Sequence, residues 1–342
     1  METGVPLNQA SYPESRVERS RWIVGLRPEV DRLGDGDKPV GFSLETERGP
    51  DGEIWESVVV LIKNRECPWR CLMCDLWKET TKEPLSPGQV IAQIRHALCQ
   101  LRITEKMRGS SRKWQIKLYN GGSFFDRGAI PVADYPTIAR LVDGFERIVV
   151  ECHPNLIGQE IARFRDLLQG KLEVALGLES SDPAVLAYLN KGFDLFDFES
   201  AVQTLRSLKV DWRAFTIFGL PSVPMDDQLA SQVRSAEYAQ SLGASVITII
   251  PARSGNGAMD RLLEEGVWRP PSFLEFERVF SESLASVTNR SRCFVDLWDL
   301  ETMASCRSCF QPRRSRLEQM NLAQSELPSV VCDDCRHGIS EQ

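Results

Sequence analysis

The chain reads as an α/β protein, a partial (β/α)6 TIM-like barrel with an irregular N-terminal arm and a cysteine-rich C-terminal extension. Three observations predict this. Between residues 57 and 251, six apolar runs alternate with stretches of helical length and period, the pattern of βαβ units and a parallel sheet. Before residue 55 the chain is polar and repeatedly broken, as at Gly34-Asp35-Gly36-Asp37 and Arg48-Gly49-Pro50-Asp51-Gly52. Past residue 303, four cysteines arrive in two C-x2-C pairs. The expected division is 1–54 for the arm, 55–253 for the barrel, 254–303 for a helical and strand-like extension, and 304–342 for a metal-binding tail.

The strand-like runs are 57–63, 115–120, 147–151, 172–179, 212–220 and 245–250. Helical stretches lie between them at 87–101, 135–142, 158–168, 183–189 with 198–208, and 226–242. Asp182-Pro183 suits a helix start, with Asp at the N-cap and Pro in the first turn. Right-handed crossovers bend such units into a partial barrel, with the chemistry at the carboxyl ends of the strands. In the arm, Trp22-Ile23-Val24 is a docking point for an otherwise irregular segment. Beyond residue 251, a turn at Ser254-Gly255-Asn256-Gly257 leads into helix, and a short strand-like piece covers 293–298.

Hydrophobic residues make up 42% of the chain and charged residues 26%, as in an ordinary globular protein. No apolar run approaches the roughly 20 residues of a membrane helix, and the first residues lack a secretory pattern, so the cytoplasm is the expected location. A net charge of −7 gives no global attraction to nucleic acid. The three histidines, His96, His153 and His337, are too few for a histidine-rich metal site. Seven of the ten cysteines are tightly grouped, which favours metal over disulfides; Cys99, Cys152 and Cys293 stand alone and read as small buried hydrophobes.

Directly after the first strand comes Cys67-Pro68-Trp69-Arg70-Cys71-Leu72-Met73-Cys74, a C-x3-C-x2-C triplet. Three thiols within eight residues can converge on a soft metal, and three ligands on a [4Fe–4S] cube leave one iron open. Unusual stretches follow other strands too: Gly121-Gly122-Ser123, Cys152-His153-Pro154, Ser180-Ser181-Asp182-Pro183, Gly219-Leu220-Pro221 and Pro251-Ala252-Arg253.

The triplet resembles the cluster motif of the radical S-adenosylmethionine (SAM) enzymes, and the similarity extends over roughly residues 57 to 251. This resemblance implies a [4Fe–4S] cluster on Cys67, Cys71 and Cys74, SAM on the fourth iron, and a 5′-deoxyadenosyl radical that abstracts hydrogen from substrate. Asn120-Gly121-Gly122-Ser123 stands where the family often carries Gly-Gly-Glu, which implies a backbone platform for SAM at Gly121, Gly122 and Ser123, with Ser123 replacing the glutamate. Gly177-Leu178-Glu179-Ser180 and Asn190-Lys191-Gly192 are similar to two further family segments. Glu179 is a candidate SAM contact, the alternative being an ion pair with Lys191. Phe218-Gly219-Leu220-Pro221 looks like the fifth-strand segment that shapes the SAM pocket through Gly219 and Pro221. Arg213, Thr216 and Arg253 are polar groups on the last strands without a clear assignment.

Glu151-Cys152-His153-Pro154 resembles the Glu-x-Arg-Pro element of the elongator-type branch, which includes the radical SAM subunit of archaeosine synthase and its bacterial relatives. His153 replaces the arginine with a titratable ring and is the candidate catalytic proton donor, against a structural histidine. In the tail, Cys306, Cys309, Cys332 and Cys335 read as a second metal site, zinc or an auxiliary iron–sulfur cluster. Arg307, Arg313, Arg314 and Arg316 form a basic run between the pairs that could meet RNA phosphates. The resemblance thus implies a radical SAM enzyme supplied by a reductant such as flavodoxin or ferredoxin, with tRNA deazaguanine modification as the candidate reaction. A small metabolite or peptide is the alternative substrate, and a non-enzymatic zinc or iron–sulfur module is the alternative of another class.

Overall fold

The computed structural model describes residues 11–338 except 31, 33–35 and 289–290. Eight strands form one sheet in sequence order: β1 (Gly41–Arg48), β2 (Ile54–Ile62), β3 (Trp114–Asn120), β4 (Arg147–Cys152), β5 (Lys171–Glu179), β6 (Asp211–Phe218), β7 (Val246–Pro251) and β8 (Arg292–Val295). β1 runs antiparallel to β2, and every later pairing is parallel. Strands β2 to β7 match the six expected runs. The described helices are α1 (Arg16–Gly25), α2 (Gln89–Gln100), α3 (Ile103–Arg108), α4 (Tyr135–Leu141), α5 (Gln159–Arg165), α6 (Pro183–Tyr188), α7 (Leu195–Ser207), α8 (Gln228–Ser241), α9 (Ala258–Glu264), α10 (Phe273–Ser286), α11 (Arg307–Ala323) and α12 (Asp333–Gly338).

Period-two alternation sorts each strand into two faces. Val58, Val60, Ile116, Leu118, Ile148 and Val174 turn outward into the layer under the helices. The opposite face lines a hollow. Low on the strands the inward residues Ser57, Gln115, Glu173 and Arg213 are fully packed. Near the carboxyl ends Leu61, Tyr119, Glu151, Gly177, Ile217 and Ile250 keep partial exposure. The half-barrel is therefore sealed at one end and open at the end where the cysteine loop lies.

Ion pairs make the seal. Glu47 of β1 meets Lys117 at 2.7 Å, Arg213 at 3.1 Å and Arg292 of β8 at 3.8 Å. Glu173 pairs with Arg147 and Arg213, and Arg147 reaches Asp211 at 3.0 Å. Burial opposes ionisation of Glu47 and Glu173, but the surrounding cations, Arg213 foremost, hold both carboxyls below their ordinary range. Through Arg292, which also donates to Arg48 O, the two ends of the sheet approach each other at this floor.

The arm differs from the expectation of an irregular segment. It contributes α1, N-capped by Ser15, and β1, which adds the antiparallel strand to the sheet. Asp182 caps α6 as expected, accepting from Ala184 N at 2.8 Å with Pro183 in the first turn. The strand-like piece after residue 292 is β8. No helix among the described residues is long and apolar enough to cross a membrane.

Candidate active site

The cysteine loop leaves the carboxyl end of β2 and returns to it, Thr81 N donating to Asn64 O at 2.8 Å. Its backbone is held by side chains from distant segments. Asn190 Nδ2 donates to Arg70 O at 2.7 Å, and Asn256 Nδ2 to Leu72 O at 2.8 Å and Cys74 O at 3.3 Å. Leu72 N donates to Leu189 O at 3.0 Å. Glu66 gathers Arg27, Arg32 and Arg70 at 2.8, 2.7 and 3.2 Å, tying the arm to the loop. Trp69 stacks on His153 with ring centroids 3.5 Å apart and planes 8° from parallel. The indole also lies against Gly192, at φ +79°, where a Cβ would stand 2.6 Å from it. Only glycine meets both demands at that turn.

Cys67, Cys71 and Cys74 are half-buried, and burial pushes all three thiols upward, Cys67 to about 12. Thiolates there need a neighbouring positive charge. Lys191 supplies part of it: burial opposes its charge, but Glu179, at 2.7 Å, and the nearby thiols keep it protonated. The Glu179–Lys191 ion pair therefore forms. Glu179 lies at a bulge of β5 with φ +64°, an uncommon backbone for this residue type.

Gly121 and Gly122 lie against the loop. A Cβ on Gly122 would sit 3.3 Å from Cys67 Cβ, and one on Gly121 would sit 2.7 Å from Thr80 Cγ2. Ser123 turns away from the hollow, its buried Oγ accepting from His153 N at 2.8 Å. Beside them the Asn120 amide is buried with both Oδ1 and Nδ2 unpartnered. Three half-buried thiols, a buried lysine and two glycines that close on the loop fit a thiolate-held metal centre.

Both His153 nitrogens are engaged. Nδ1 accepts from Asn155 N at 3.3 Å and Nε2 faces Lys191 O at 3.0 Å. Burial, helped by Lys191, pushes the ring down to about 3, so it is neutral at physiological pH. This geometry makes the ring a support for Trp69. The carboxyl that faces the hollow is Glu151, which accepts from Asn120 N at 3.3 Å and is pushed up to about 8 by burial, with Glu179 adding to the effect. Glu151 and Asn120 were not singled out as site residues in the sequence. Their positions at strand ends beside unusual turns were the available signal.

Gly219 and Pro221 lie at the end of β6. Gly219 N donates to Gln228 Oε1 at 3.2 Å and its O accepts from Trp268 Nε1 at 2.6 Å, so this turn is fixed by α8 and by the segment after α9. Arg213 belongs to the ionic floor. Thr216 faces α8, accepting from Gln232 Nε2 at 2.7 Å, and Arg253 pairs with Asp296 at 2.8 Å.

In the tail, Cys306, Cys309, Cys332 and Cys335 bring their sulfurs within 4.8 Å of one another. Two of the four arginines beside them are consumed. Arg313 pairs with Glu277 of α10 and donates to Cys309 Sγ at 3.2 Å and Val330 O at 3.1 Å. Arg316 is buried and donates to Leu327 O, Pro328 O and Ser281 Oγ. The expectation of an open arginine patch fails for these two because Glu277 and the tail carbonyls neutralise and desolvate them. The His337 side chain lies outside the described residues.

No protein-family model matches the chain. It is 20% identical over 261 residues to an uncharacterized protein of Methanocaldococcus jannaschii, covering 73% of this chain and 71% of that one. It is 23% identical over 211 residues to archaeosine synthase subunit beta of Thermococcus kodakarensis, covering 59% of this chain and 62% of the relative. Among solved structures it resembles the archaeal Methanocaldococcus infernus Elp3, with TM-score 0.51, 14% identity and coverage of 70% and 62%. It also resembles methylornithine synthase, with TM-score 0.52, 14% identity and coverage of 81% and 72%. The chain thus spans less than two thirds of the archaeosine synthase subunit and of the Elp3 structure. The curled, mostly parallel half-barrel is the fold shared with these structures, and this chain carries its three-cysteine loop at the carboxyl end of the first parallel strand.

Proposed function

We propose that the chain is a radical SAM enzyme in which Cys67, Cys71 and Cys74 hold a [4Fe–4S] cluster at the mouth of the half-barrel. The observation that carries this reading is the loop itself: Asn190 and Asn256 fix its backbone from two directions, Glu66 ties it to the arm, and none of its thiols is taken up in a disulfide. Held by these three cysteines and reduced by an external donor, such a cluster would supply the electron for reductive cleavage of SAM and hydrogen abstraction from substrate. Gly121 and Gly122 offer SAM a backbone surface without side chains. Ser123 acts indirectly, by holding His153 N. Glu179 serves SAM through the oxygen not taken by Lys191, while Gly219 and Pro221 shape the far side of the pocket. His153 keeps Trp69 and the loop in place, and Glu151, protonated at neutral pH, is the group able to hold or release a proton in the hollow.

The favoured substrate is a deazaguanine base in tRNA, a reading supported by the similarity to archaeosine synthase subunit beta. A small metabolite or peptide is the second reading, favoured by the pairing of Arg313 and Arg316 with Glu277, which removes two cations from RNA contact. The division into arm, barrel, extension and tail at residues 54, 253 and 303 belongs to the same proposal, as do a flavodoxin or ferredoxin donor, a cytoplasmic location, and a second metal on the tail cysteines.

Anaerobic reconstitution followed by assay of 5′-deoxyadenosine tests the reaction. Cleavage lowered at least about 100-fold in Cys71→Ala is expected. Undiminished cleavage would remove the cluster assignment, and no cleavage by reconstituted wild-type protein would favour a non-enzymatic metal module. Mass spectrometry of nucleosides from treated tRNA, compared with treated cell extract, separates the two substrate readings.

A further inference from the structure

The tail sulfurs are close enough to share one ion. Cys306 Sγ lies 3.9 Å from Cys332 Sγ, and Cys309 Sγ lies 3.4 Å from Cys335 Sγ. Zinc–sulfur bonds of about 2.3 Å at tetrahedral angles separate the sulfurs by about 3.8 Å. A four-iron cluster instead gives each thiolate its own iron and spreads them farther. Four thiolates around a divalent ion carry two net negative charges. Arg313, itself paired with Glu277, donates a hydrogen bond to Cys309 Sγ. Cys306 is the N-cap of α11 and Cys309 lies in its first turn, where the positive end of the helix favours thiolates.

The same helix covers the last edge of the sheet. One side of β8 pairs with β7. On the other side two side-chain amides of α11 and its C-cap take the place of a strand. Gln324 accepts from Cys293 N at 2.8 Å and donates to Cys293 O at 2.9 Å. Asn321 accepts from Val295 N at 2.9 Å and donates to Val295 O at 2.9 Å. Spaced three apart on one helix face, they satisfy alternate residues of the strand, as a ladder partner would. Leu317 and Met320 pack behind them against Ile249, Cys293 and Val295. α11 also packs on β1, so it stands between the two ends of the curled sheet.

We propose that the tail binds a single tetrahedral zinc ion, and that this ion locks α11 in place as the wall that closes the half-barrel beyond β8. Binding releases four thiol protons to solvent as the ion takes up four thiolates. The proposal deepens the tail-metal reading above and is independent of the chemistry at the cysteine loop.

The test uses full-length protein purified anaerobically, with metals and sulfide counted per chain. One zinc is expected beside the iron of the loop. Cys309→Ser with Cys332→Ser should remove the zinc and leave that iron. In the same variant, hydrogen–deuterium exchange of residues 291–296 should accelerate about tenfold or more at Cys293 and Val295. Should that variant fail to fold, Asn321→Ala with Gln324→Ala gives the second reading: zinc retained, with the same two amides exchanging faster. Iron and sulfide that persist after Cys67, Cys71 and Cys74 are all changed to Ser would overturn the zinc assignment. Unchanged exchange at both amides in folded, zinc-free protein, or in the amide variant, would overturn the wall.

Discussion

The cysteine loop and the cysteine tail both gather thiols, but they take their shape from different sources. The loop is held by side chains that arrive from the arm, from the turn after α6 and from the turn before α9. The tail is held by two short knuckles, one of them the first turn of α11, and by Arg313 reaching from a sulfur to Glu277. A loop fixed by the fold can leave one position of its metal centre open to a ligand. A tail closed by four sulfurs has no open position and works as a fastening. The difference teaches that number of ligands and source of rigidity go together here.

Four changes would break or sharpen this contrast. Glu277→Gln should act most strongly, because it leaves Arg313 and Arg316 without their shared buried carboxylate, at about 3–5 kcal/mol. A lower Tm and reduced tail metal are expected, with the iron of the loop unchanged; parallel loss of both metals would show that the sites are coupled. Gly121→Ala should do the reverse. Its methyl meets the buried Thr80 side chain and Leu76 O, at about 1–3 kcal/mol, lowering iron after reconstitution while tail metal persists. Asn190→Ala leaves Arg70 O without its donor, at about 1–2 kcal/mol, and should speed alkylation of the loop thiols in metal-free protein. Alkylation at the wild-type rate would mean that the loop does not depend on this clamp.

The last change concerns pH. The folded chain holds the Glu151 proton up to about pH 8, whereas the unfolded chain gives it up near the ordinary carboxyl range. Between those limits the native state binds more protons, so this group lowers stability as pH rises. Glu151→Gln should remove that term, so its stability relative to wild type should rise steadily from pH 5 to pH 8. Parallel Tm profiles for the two proteins would show that Glu151 is ionised in the fold.

Six strands were legible because each carries an apolar run, continuous or alternating, between turn signals. β1 was not. Its outward residues Phe42 and Leu44 pack under the helices, but the inward Glu45 and Glu47 point to the cations of the floor, so the segment looks like solvated surface. α1 was hidden for a similar reason: Ile23 is its one buried residue, and its helix is held by capping and by contacts with distant turns. In the tail, cysteine spacing announced a metal site, while the neighbouring arginines looked free because Glu277 lies 36 positions from Arg313. His153 looked available for proton transfer until both ring nitrogens and one face were found occupied.

By itself the sequence determined the alternation of strands and helices, the triplet after the first parallel strand, and the paired cysteines of the tail. These depend on short-range spacing and hydrophobic period, which neighbouring residues encode directly. The tertiary structure decided which charges are partners and which side chains hold the loop. Arg213 meets Glu47 across 166 positions and Asn190 meets Arg70 across 120, distances over which only the folded packing brings residues together.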